Sequence, residues 1–212
     1  MAKIYWHKTP GLVKKLFPEL LWNSSNNERN IHLTFDDGPV PEITEYILDI
    51  LDEYNSKVTF FCVGENVKKN PAIFDRILRS GHSVGNHTFN HINGWRTSLS
   101  NYLDNVKKCQ DEFASHGYNR IIKLFRPPYG LLTTSQLKEL NRQYKIVMWD
   151  VLSGDFDSKL NPDKCLLKVT KSAVEGSIVV FHDSYKAERK IKYVLPRILQ
   201  YFSQREYSFS AL

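Results

Sequence analysis

Ile31-His32-Leu33-Thr34-Phe35-Asp36-Asp37-Gly38-Pro39 is the stretch on which the fold turns. A β-rich run stops at two carboxylates, and Gly38-Pro39 turns the chain sharply. After Pro41, residues 42–54 place Ile43, Ile47, Leu48, Ile50 and Leu51 mostly along one stripe, the spacing of an amphipathic helix. The unit is strand, turn, helix, and it recurs. Further strands are predicted over 57–63, 82–86, 122–125, 145–150, 177–182 and 207–211. Helices are predicted over 71–80, 98–115, 133–144, 162–174 and 190–204, the last starting late or bending at Pro196. Several strands are short continuous apolar runs, as in sheets covered on both faces. Seven strands alternating with helices imply an α/β fold with a parallel sheet and right-handed crossovers. An open doubly wound sheet and a barrel both satisfy the pattern, and in either one chemistry collects at the carboxyl ends of the strands.

The polar residues fall there. Asp36 and Asp37 end the first strand, Asn86 and His87 the third, Arg126 the fourth, Asp150 the fifth, and His182 with Asp183 the sixth. His87 and His91 are four apart, so on a helical turn they would share a face and converge on one cation. Asp37 supplies a carboxylate. Two imidazoles and one carboxylate leave coordination positions open, as in a catalytic zinc site, and iron or manganese also suits them. Adjacent carboxylates cannot point the same way on a strand, so one of Asp36 and Asp37 binds metal while the other serves as general base. In the stiff loop Arg126-Pro127-Pro128-Tyr129-Gly130, Arg126 can pair with the base, and the Tyr129 backbone N–H can stabilise an oxyanion. His182 is the candidate general acid.

The whole chain sets limits on these readings. Of its 212 residues, 42% are hydrophobic and 25% charged, which excludes a disordered tail, a collagen or a membrane bundle. No apolar run reaches the roughly 20 residues needed to cross a bilayer. The net charge of +6 favours an anionic partner. Nucleic acid is not expected, because the lysines are scattered and no nucleic-acid motif is present. Lys186–Lys190 closely follows His182, which suggests a preference for an anionic or lipid-phosphate-linked sugar. Cys62, Cys109 and Cys165 form no C-x-x-C pair, so reduced thiols are expected rather than a cysteine zinc site. The start, Met1-Ala2-Lys3-Ile4, and the interruption at Lys14-Lys15 give no export signal, so a cytoplasmic location is expected. Residues 11–22 carry Leu12, Leu16, Phe17 and Leu20 at near-helical spacing. They either cap the fold or lie on a membrane surface. The polar stretch Asn23-Ser24-Ser25-Asn26-Asn27 sets an arm, residues 1–30, apart from one domain at 31–212.

Taken together, these segments resemble the polysaccharide deacetylase family, the NodB-homology domain of the carbohydrate esterases. Thr34-Phe35-Asp36-Asp37-Gly38, His87-Thr88-Phe89-Asn90-His91, Arg126-Pro127-Pro128-Tyr129-Gly130 and Val180-Phe181-His182-Asp183 look like four of its motifs, in the family's order, and Thr59-Phe60-Phe61 matches a structural stretch. The resemblance implies a distorted (β/α) barrel of about seven parallel strands. It implies one divalent metal held by Asp37, His87 and His91, with zinc first and cobalt, nickel, manganese and iron compatible. It makes Asp36 the base, Arg126 its tether, Tyr129 the oxyanion donor and His182 the acid. The reaction implied is removal of N-acetyl groups from an N-acetylated glycan or amino sugar, giving acetate and a free amine. An O-acetyl esterase, a cyclic-amide hydrolase and an inactive glycan-binding homologue are the alternatives. One motif departs. Where the family reads Asp-x-x-Asp-Trp, this chain has Leu152-Ser153-Gly154-Asp155-Phe156. Asp155 then orients His182, with Asp150 the competing candidate. Pro128, Tyr129, Trp149 and Phe156 are the candidate substrate-binding residues.

Overall fold

The computed structural model describes residues 5–24 and 29–212. Met1–Ile4, and Ser25 to Asn27 of the polar stretch, lie outside the described residues. In chain order the elements are α1 (Gly11–Leu16), β1 (Asn30–Asp36), α2 (Ile43–Glu53), β2 (Thr59–Cys62), α3 (Gly64–Lys69), α4 (Pro71–Arg79), β3 (Ser83–Asn86), α5 (Leu99–Ser115), β4 (Lys123–Phe125), α6 (Thr134–Leu140), β5 (Tyr144–Ile146), β6 (Val151–Leu152), α7 (Pro162–Ser172), β7 (Ile178–His182), α8 (Glu188–Ser203) and β8 (Ser208–Phe209). Seven strands run in the order β5-β4-β3-β2-β1-β7-β6, and β8 pairs with the start of β1. Every pairing between these strands is parallel. The sheet curls into the distorted (β/α) barrel, and β1 at its centre is buried along its whole length. Phe35 stacks between Phe60 and Phe181 in the main core, where Ile47, Leu51, Leu195 and Ile198 of α2 and α8 also sit. Pro196 is accommodated inside α8.

Two expectations change here. Of the predicted strand over 145–150 only residues 145–146 lie in β5, and residues 147–150 cross to β6 at the opposite end of the sheet order. Val147 N–H still donates to Phe125 of β4, whereas Asp150 N–H donates to Ile178 of β7. Hydrophobicity runs through this crossing because both edges are buried, so the sequence pattern gave no break. Asp150 therefore precedes β6 instead of ending β5. Residues 11–22, read as near-helical, form one short helix, a turn over 18–20, and then an extended segment that bridges the sheet at Leu21.

That arm closes the seam between β5 and β6. Leu21 N–H donates to Ile146 and Met148 N–H to Leu21. On the other side, Thr9 N–H donates to Asp150 and Leu152 N–H to His7. Asp150 is only 2% exposed and carries the staple. It accepts from Lys8 at 2.6 Å, from Lys14, and from Ser177 at 2.6 Å. These contacts hold its carboxyl below the usual range against the upward push of burial.

Candidate active site

The strand ends place the charged groups. β1 and β7 are in parallel register with Asp36 opposite His182. The Asp36 carboxylate is buried and accepts from the Arg126 guanidinium at 2.7 Å. Arg126 is fully buried, yet its donors are used: Thr34 Oγ1 at 2.7 Å, Val147 O at 3.2 Å and Met148 O at 2.9 Å. Its planar group lies over the Phe61 ring, 4.0 Å from the centroid. A buried cation needs this degree of pairing, because removing it from water costs several kcal/mol.

Asp37 takes the opposite direction through a left-handed backbone, φ 88°. Asp37 Oδ1 is 3.2 Å from His91 Nε2 and 3.8 Å from His87 Nε2. One ligand atom from each of the three lies within 4.8 Å of the others. His87 and His91 do not share a helical turn. The segment is a loop with Thr88 at φ 63° and His91 at φ 53°, and this turn, not helical periodicity, brings the rings together at 5.1 Å. Asn105 Oδ1 holds the loop by accepting from the N–H groups of Phe89 and Asn90. His87 Nδ1 donates to the Arg126 carbonyl at 2.7 Å, which leaves Nε2 with its lone pair toward Asp37. Burial pushes the His87 imidazole down to about 4, so it stays neutral, as a ligand must. Burial pushes Asp37 up, but the His91 hydrogen bond and the charges of His182, His87 and His91 outweigh it and hold the carboxyl ionised. The donor set of two imidazoles and one carboxylate fits a divalent transition metal with coordination positions to spare.

His182 sits on the other flank. Its Nδ1 lies 2.7 Å from Asp155 Oδ1, and its backbone N–H donates to Asp155 Oδ2 at 2.7 Å. Burial opposes a charge on this ring, but the Asp155 charge and hydrogen bond, then Asp37 and Asp36, carry it up to about 9. Asp150, the competing candidate, is committed to the arm. Phe156 packs edge-on against His182 with centroids 5.1 Å apart. Tyr129, at φ 61°, rests edge-on against His91 at 4.7 Å. Among the described residues its N–H has no acceptor. Pro128 is buried beneath it, and the Trp149 ring fills the space that a side chain at Gly130 (φ 69°) would need.

Several residues that shape the site were not assigned from sequence. Asp183 is buried and accepts from Gly38 N–H at 2.9 Å and Thr44 O–H at 2.7 Å. Asn66 Nδ2 donates to the Asp37 carbonyl at 2.7 Å. Together they fix the turn that aims Asp37. The doublet His182-Asp183 was the available signal, since two polar residues end one apolar strand. Tyr5 packs on Phe156 at 5.2 Å and donates to Asp157 at 3.1 Å, and no local pattern announces that contact.

Comparison with known proteins gives this chain a family. The family model described as polysaccharide deacetylase matches residues 23–148. A peptidoglycan-N-acetylglucosamine deacetylase of Bacillus cereus is 33% identical over 206 residues, covering 93% of this chain and 94% of that protein. A chitooligosaccharide deacetylase of Azorhizobium caulinodans is 31% identical over 163 residues, 75% of this chain and 76% of that one. The crystal structure of a peptidoglycan N-acetylglucosamine deacetylase in complex with 4-naphthalen-1-yl-N-oxidanyl-benzamide superposes with a TM-score of 0.87 at 29% identity, covering 96% of this chain and 95% of that one. The chain belongs to the polysaccharide deacetylase family.

Proposed function

We propose that this polysaccharide deacetylase hydrolyses the acetamide of N-acetylglucosamine units in a glycan, of the peptidoglycan or chitooligosaccharide kind on which its relatives are named, releasing acetate and a free amine. The observation that carries the reading is the pairing at adjoining strand ends. Asp36 with Arg126 and His182 with Asp155 flank the Asp37–His87–His91 triad, each with its own buried partner. Asp37, His87 and His91 would hold one divalent cation, zinc by donor type. When bound, the cation supplies Lewis acidity toward the acetamide carbonyl.

The residues of this chain divide the remaining work. Asp36 takes a proton from the attacking water, and its Arg126 partner fixes the carboxylate orientation. The Tyr129 N–H donates to the oxygen that gains charge as the carbonyl carbon becomes tetrahedral. His182, protonated and held by Asp155, gives its proton to the departing nitrogen. Phe156 and Trp149 wall the site with apolar surface. The test is acetate release from N-acetylglucosamine oligomers and from an O-acetylated sugar, in parallel, with zinc supplied. Release from the N-acetyl substrate alone is expected. Release only from the ester, or from neither, would overturn the reading.

A further inference from the structure

The segment Leu152-Ser153-Gly154-Asp155-Phe156 departs from the family motif at two residues, Leu152 and Phe156. The arm touches both. Leu152 N–H donates to the His7 carbonyl at 2.9 Å, and His7 Nδ1 donates to the Leu152 carbonyl at 2.9 Å. The Tyr5 ring packs on Phe156 with centroids 5.2 Å apart, and its hydroxyl donates to Asp157 Oδ2 at 3.1 Å. Tyr5 and His7 also meet edge-on at 5.0 Å, so they form one surface. Gly154, at φ 78°, lies against it. A Cβ there would come 2.7 Å from the Tyr5 hydroxyl and 2.9 Å from His7 Cε1, so the close approach of arm and loop requires glycine. The register of the contact is set next door. Lys8 bridges Val151 in the antiparallel sense, and its ammonium is held by Asp150.

The same loop carries the partners of the proposed acid. Asp155 accepts from the His182 ring and from its backbone N–H, and Phe156 meets the ring edge-on at 5.1 Å. One hydrogen bond at Nδ1 leaves an imidazole able to rock, because its χ2 well is broad. The edge of Phe156 restricts that motion. Phe156 is itself only part-buried, and the Tyr5 ring is its backstop. The Tyr5 hydroxyl takes no part in proton transfer: burial and the Asp157 hydrogen bond push the phenol up, so it keeps its proton.

We infer that Tyr5 is a positioning residue for His182: the Tyr5 ring holds Phe156 in place, and Phe156 holds the imidazole toward the departing nitrogen. This rests on the proposed deacetylase reading and adds to it that the arm, which contributes no strand to the barrel, completes the acid side of the site.

The test is a double-mutant cycle on acetate release from the hexamer of N-acetylglucosamine, with zinc saturating. Tyr5→Ala should lower kcat about tenfold, a part of the roughly 10²–10⁴-fold that a general acid supplies, and leave KM within about twofold. In a His182→Ala background the same substitution should change kcat by less than about twofold, because the group it positions is gone. Tyr5→Phe keeps the ring, drops only the Asp157 hydrogen bond, and should retain most of kcat. Position is also read without turnover. The downfield Nδ1–H proton resonance of His182, identified by its loss in His182→Ala, should exchange with water about tenfold faster in Tyr5→Ala than in the wild type. An equal loss of kcat in both backgrounds, a rise in KM at unchanged kcat, or a Tyr5→Phe variant as slow as Tyr5→Ala overturns the inference. So does a resonance that is absent from the wild type or indifferent to Tyr5→Ala. Absence of acetate from every glycan strikes the deacetylase reading instead, while the resonance still decides the role of Tyr5.

Discussion

Asp155→Asn tests the proposed acid most directly. Both Asp155 oxygens accept from His182, one from the ring and one from the backbone, each at 2.7 Å, and the aspartate is fully buried. An asparagine must turn its NH₂ toward one of these donors. Either it faces the backbone N–H, or it forces the ring into the tautomer with Nδ1 as acceptor. Both choices remove the negative charge that leads in raising His182 from 6.5 to about 9. That displacement is on the order of 3 kcal/mol in favour of the protonated ring. The sign follows: a raised histidine keeps its proton, and the stability linked to it, fully below its unfolded value, and loses both as pH rises toward about 9. The assay is acetate release across pH, with zinc saturating, alongside thermal unfolding at the same pH values. The wild type should lose kcat on the alkaline side. The variant should lose kcat by about 10²–10⁴-fold at neutral pH, as for removal of general acid catalysis. Its alkaline limb should move to lower pH, and the stability difference should shrink as pH rises. An alkaline limb that does not move, with kcat within a few-fold of wild type, would refute the assignment of His182 as the acid.

Further outcomes follow from the same contacts. His91→Ala should abolish stoichiometric zinc binding in equilibrium dialysis while leaving the circular dichroism spectrum intact, because His91 is part-exposed and lies on a loop. Asp183→Ala strands the buried donors of Gly38 and Thr44 and should cost about 2–4 kcal/mol by denaturant titration, with a parallel loss of zinc affinity as the Asp37 turn relaxes. Gly38→Ala should be more damaging still, since a Cβ there would run into the Asp183 carboxylate. Asp150→Ala removes the acceptor shared by Lys8, Lys14 and Ser177, and limited proteolysis should then cut the arm much faster than in the wild type.

Much of the proposed site was legible because Asp36, Arg126 and His182 stand at the ends of apolar strands, and a parallel sheet gathers its carboxyl ends. Asp36, Arg126 and His182 are placed by β1, β4 and β7 through backbone register alone. The His87–His91 spacing pointed to two rings that do meet, but through a different geometry, since left-handed residues and Asn105, not a helical turn, bring them together. Along the chain the family motif favours Asp155 and the strand-end position favours Asp150. Both lie near a strand, and only the distance to His182 and the arrival of two arm lysines separate them.

Sequence therefore determined what is local or periodic: alternating strands and helices, the residues at the strand ends, and the family they resemble. Tertiary structure decided what depends on distant segments meeting. The arm fills the seam between β5 and β6, a contact between residues more than a hundred positions apart. No hydrophobic period encodes such a contact, because its driving force is the unpaired backbone of two strand edges and the buried charge of Asp150. The same closure gathers four scattered tryptophans into one cleft.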